Sequence, residues 1–83
     1  MHLIHQQDGF KFYVAFNFQE PPYVYVTKGK GSVTVLIGDP EGKPPQIDES
    51  EKVSKKDLDS ARAIVRQNQA EFLVAWNRSH GDL

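Results

Sequence analysis

The chain has no cysteine. Disulfides and thiolate metal sites are therefore excluded, and the absence fits a reducing cytoplasm. It has almost no charge imbalance, with a formal net charge of -1. That argues against general attraction to nucleic acid or a membrane surface, which takes a basic patch. No apolar run approaches the length of a membrane span. Met1 to Gln7 lacks the basic start and long apolar stretch of a signal peptide. There is no internal repeat and no low-complexity segment. With 83 residues there is room for one domain, and so small a chain buries only roughly 60% of its unfolded surface.

What is present is a clear alternation. Phe10, Phe12, Val14 and Phe16 fall on one side of an extended segment, and Lys11, Tyr13 and Ala15 on the other. A period of two with aromatic residues is a half-buried strand, here expected over about 10–17 and preceded by an Asp8-Gly9 turn. Glu20-Pro21-Pro22 is a connection, because proline lacks the amide hydrogen a central strand needs. A second strand is expected over 23–27, then a hairpin turn at Lys28-Gly29-Lys30-Gly31, then a third strand over 32–38. The polar stretch from Gly38 to Lys52 is long for a structureless loop, so a short edge strand is expected at 46–48.

A helix follows. Ser54 is its N-cap, Asp57 stands three residues later as in a capping box, and Val53 and Leu58 occupy the positions of a hydrophobic staple. Leu58, Ala61, Val65, Phe72 and Trp76 form its apolar stripe, and Gly81 marks its end. One continuous helix over about 55–78 would be about 36 Å long and would overhang the sheet. Trp76 would then need a cover, for which Leu3 and Ile4 are the nearest free apolar residues. The expected fold is α+β: an antiparallel three- to four-stranded β-meander packed on one long C-terminal α-helix, in a single domain spanning 1–83.

One helix covers one face of a sheet. Phe10, Phe12, Val14, Phe16, Val24, Val26, Val33, Val35 and Ile37 are the expected covered set. The opposite face would carry Tyr13, Tyr23, Tyr25, Thr34 and Leu36. A wetted sheet tolerates tyrosine, but tyrosine also buries large area at little entropy cost and is enriched at interfaces. These five residues are the candidate partner-binding set. Lys11, Lys28 and Lys30 are a candidate basic rim beside them, which would suit single-stranded nucleic acid stacked on Tyr23 and Tyr25.

Constellations for catalysis are weak. His2 and His5 fall in an N-terminal segment read as flexible, His80 falls past the helix, and their spacing matches no zinc motif. Asp48, Glu49 and Glu51 lack the spaced ligands and glycine of a calcium loop, and read as solvated charge before a helix start. The Lys-Gly-Lys-Gly turn does not end in the Gly-Lys-Ser/Thr of a P-loop. No serine lies in a nucleophile elbow. No catalytic residue, metal site or cofactor is expected, and the reading leans away from an enzyme.

The order Gly9-Phe10-Lys11-Phe12-Tyr13, Glu20-Pro21-Pro22-Tyr23-Val24-Tyr25-Val26, glycine hairpin, third strand, and a helix closing on Glu71-Phe72-Leu73-Val74-Ala75-Trp76-Asn77 resembles the bacterial domain of unknown function 4160 family. The resemblance runs from about Asp8 to Gly81. That family typically shows histidine at the two positions held here by Tyr23 and Tyr25, so any histidine chemistry it implies does not carry over. The resemblance implies a small cytoplasmic partner-binding protein of bacterial or phage origin, one half of a toxin–antitoxin-like pair. The expected partner is a small protein or a second copy in a homodimer, without a membrane. A toxin-like RNA-acting protein is one alternative. The other is a phage-encoded inhibitor or accessory subunit that uses the outer helix residues Ala63, Ala70 and Val74.

Overall fold

A computed structural model of the protein describes residues 1–15 and 20–80. Five strands, β1 (His2–Gln7), β2 (Phe10–Val14), β3 (Tyr23–Lys28), β4 (Gly31–Leu36) and β5 (Gln46–Glu51), precede two helices, α1 (Lys55–Gln67) and α2 (Gln69–His80). The strands form one antiparallel sheet in the order β1-β2-β3-β4-β5. The α+β class and the antiparallel meander match expectation, but the details differ in three places.

The first is β1. His2 and His5 do not lie in a loose segment; they belong to an edge strand paired with β2. Asp8 and Gly9 form a two-residue turn with φ of 53° and 84°. Positive φ at both positions is the hairpin geometry that Asp-Gly favours, because it matches the twist of the flanking strands. A register shift between Leu3 and His5 puts Ile4 against the core and His5 opposite Phe12. The His5 ring is 5.5 Å from the Phe12 ring and 5.4 Å from that of Phe72, and its Nε2 lies 2.9 Å from Gln7 Oε1.

The second difference is β5, which runs through Glu51 rather than ending at 48. The segment before it is tied rather than loose: Asp39 N–H donates to the Lys43 carbonyl at 2.7 Å, and Gly38 has φ of 75°. A Cβ at Gly38 would stand 2.3 Å from that same carbonyl oxygen, so only glycine fits.

The third is the helix. It breaks at Asn68, whose side-chain amide donates to the Ile64 carbonyl at 2.8 Å. The single long helix is corrected to two shorter ones that follow the sheet. Ser54 caps α1 as expected, accepting from Asp57 N–H at 3.2 Å. The Asp57 carboxylate goes instead to Lys28, 3.1 Å away.

Both helices lie on one face of the sheet. The core is Phe10, Phe12, Val14, Val24, Val26, Val33 and Val35 from the strands and Ile37 just after β4, closed by Ala61, Ile64, Val65, Phe72 and Trp76. Every described residue of the expected covered set is buried. Phe16, expected in the core, and Gly81, expected to end the helix, lie outside the described residues. Gln69 is the buried polar residue of this layer, and its amide donates to the carbonyls of Ile37 and Lys43 at 2.9 and 3.0 Å. No helix is long and apolar enough to cross a membrane among the described residues.

Candidate binding face

The strand alternation that buries Val24 and Val26 turns Tyr25 and Thr27 the other way, away from the helices. Register then sets the neighbours. Leu3 stands opposite Tyr13, Tyr13 opposite Tyr25, Tyr25 opposite Thr34, and Thr34 opposite Glu49. One row thus crosses all five strands, apolar at β1, aromatic at β2 and β3 and acidic at β5. The Tyr13 and Tyr25 rings are 6.5 Å apart at 47°, an inclined cross-strand pair. Tyr13, Tyr25, Thr34 and Leu36 are half-buried and share this face.

Tyr23 stands at the edge of the open face. It begins β3 beside Leu36, but its ring centroid lies 5.3 Å from that of Trp76 in α2. Tyr23 therefore packs against the core cluster at the border of the open face. This contact, rather than Leu3, helps cover Trp76, which is 2% exposed. Leu3 is left 39% exposed on the open face.

Of the expected basic rim, Lys28 is set apart from the open face. Lys28 pairs with Asp57 and holds its ammonium 4.6 Å from the Phe10 ring centroid, on the helix side of the sheet. Lys11 stands opposite Thr27 on the open face, and Lys30 is exposed in the β3–β4 turn. Ala63, Ala70 and Val74 are exposed on the helices, Val74 at 54%.

Two shallow hollows line the β4–β5 side of the face. One, of about 380 Å³, is bordered by Tyr25, Ser32, Thr34, Glu49 and Glu51. The other, of about 290 Å³, is bordered by Glu20, Pro21, Tyr23, Thr34, Leu36 and Asp48. Glu49 borders both. The acidic residues of β5 were legible in the sequence as charge. Their place beside Tyr25 was not, because it depends on β5 pairing with β4. Among the described residues no group of three or more histidine, aspartate or glutamate side chains is arranged to hold a metal ion.

Residues 9–77 match the family model described as Domain of unknown function (DUF4160). The chain belongs to the DUF4160 family. The match takes in β2, β3, β4, β5, α1 and most of α2, so the sheet face with Tyr13 and Tyr25 lies within the family domain. β1 lies outside the matched DUF4160 span. No curated protein and no solved structure matches the chain.

Proposed function

We propose that this DUF4160 chain is a non-enzymatic binding module whose open sheet face docks a small protein, as one half of a two-protein, toxin–antitoxin-like pair in a bacterial cytoplasm. The observation that carries the reading is the Tyr13–Tyr25 pair, flanked by Leu3, Thr34 and Leu36 and left uncovered by either helix. Paired aromatics with an apolar neighbour supply contact area at low entropy cost, and on a domain this small such a face is a large share of the surface. A second copy of the chain is the competing occupant. The RNA-acting reading draws less support, because Lys28 is engaged with Asp57 and Phe10 on the other side of the sheet.

The test is a comparison of the wild type with Tyr25→Glu. Light scattering coupled to gel filtration gives the mass of each, and mass spectrometry identifies what co-purifies. The expected outcome is a bound partner, or a doubled mass, with the wild type alone, while both proteins unfold at similar urea concentrations. Identical mass and identical co-purifying species in both would overturn the reading.

A further inference from the structure

Building on the docking role of the tyrosine face, the geometry points to the chemical class of its occupant: an extended polypeptide segment carrying basic residues at alternate positions, laid along β4 and β5. Three observations lead there. First, the carboxylates of the face have no internal cation. Among the described residues the one ion pair is Lys28–Asp57, and it lies on the helix side. Glu20, Asp48, Glu49 and Glu51 border the two hollows without an ion-pair partner there.

Second, Lys11 is turned to this face by its pairing with Thr27, but it stands on β2, with β3 and β4 between it and the carboxylates of β5. A second copy would therefore stack one net-negative face on another, an arrangement that like-charge repulsion opposes. A cationic segment removes that charge instead. Third, the spacing fits. Glu49 and Glu51 stand opposite Thr34 and Ser32 on the same side of β5, two residues apart. Alternate residues of any extended chain are separated by roughly 6.8 Å and point the same way. A basic segment running along the strands therefore meets both carboxylates with side chains i and i+2. Tyr25 borders the same hollow as Glu49 and Glu51, and a guanidinium stacks on aromatic rings as well as pairing with carboxylates.

The experiment is fluorescence anisotropy with a labelled octapeptide of alternating arginine and serine. An octapeptide of the same composition with contiguous arginines and a single-stranded oligonucleotide serve as comparisons. The protein variants are Glu49→Gln/Glu51→Gln, both exposed on an edge strand, and Glu71→Gln on the helical side. The expected result is saturable binding of the alternating peptide, weakened about fivefold or more by the double variant and by raised salt, and unchanged by Glu71→Gln. Tighter binding of the contiguous peptide, preference for the oligonucleotide, equal loss in both variants, or no binding would each overturn the inference. The docking role and the basic segment are told apart by a second comparison. If Tyr25→Glu releases a co-purifying protein that Glu49→Gln/Glu51→Gln retains, the face is a docking site and the basic segment is wrong.

Discussion

At the residue scale, Gln69 is placed where the apolar stripe of the helix would take a hydrophobe: four residues after Val65 and three before Phe72. Its amide instead bridges two loop carbonyls, Ile37 and Lys43. The Lys43 carbonyl also accepts from Asp39 N–H and stands over Gly38, so one side chain fastens the start of α2 to the segment that leads into β5. Gln69→Leu keeps similar bulk but takes this donor from the buried Ile37 carbonyl, while the Lys43 carbonyl keeps Asp39 N–H. Buried acceptors left without partners cost about 1–3 kcal/mol. The midpoint of urea unfolding is expected to fall by that equivalent with an unchanged m-value. An unchanged midpoint would mean that water replaces the amide and the bridge is dispensable.

At the element scale, Ser54 sets where α1 begins, since its hydroxyl takes one of the amide hydrogens that the first turn leaves without a carbonyl. Ser54→Ala is expected to cost about 1 kcal/mol, and Ser54→Asp to restore most of it, both read from chemical denaturation. If alanine is neutral, the neighbouring Lys28–Asp57 pair holds the helix start without the cap. The elements the sequence disclosed are those with strict period: Phe10 to Val14, Val24 and Val26, Val33 to Ile37, and the cap-and-staple start of α1. Those it hid break their period. The register shift at Ile4 scrambles the alternation of β1, and polar His2, His5, Gln6 and Gln7 carry little strand signal, although the Asp8-Gly9 turn called for a strand on each side. A similar shift near Asp48 shortened the expected β5. The break at Asn68 leaves no trace in the stripe, because Val65, Gln69, Phe72 and Trp76 keep helical spacing through it. The candidate face was legible as far as its alternation. Tyr23 turned to Trp76 because that depends on where α2 lies, which no local pattern encodes.

At the scale of the whole molecule, two layers divide the work. The helical side of the sheet holds the apolar core, and the open side holds the tyrosines and carboxylates, so substitutions on the two sides should separate stability from binding. Phe72 is the sharpest probe of the first side. It is 1% exposed, and its ring meets Phe12 at 5.5 Å and His5 at 5.4 Å, which joins α2 to the two strands at one edge. Removing such a ring costs about 3–5 kcal/mol, because the cavity it leaves is only partly closed by its neighbours. At roughly 0.05–0.15 kcal/mol per residue, a chain of 83 residues has a total stability of roughly 4–12 kcal/mol. The loss is therefore a large fraction of the whole. Phe72→Ala is expected to lose the near-ultraviolet signature of fixed aromatic packing and to unfold at much lower urea, while much of its far-ultraviolet signal survives. Tyr25→Glu, on the uncovered side, is expected to keep both. Should Phe72→Ala unfold at the wild-type midpoint, α2 contributes little to the core. The helical layer would then rest on α1 through Ala61, Ile64 and Val65, and the division between a structural and a docking side would no longer hold.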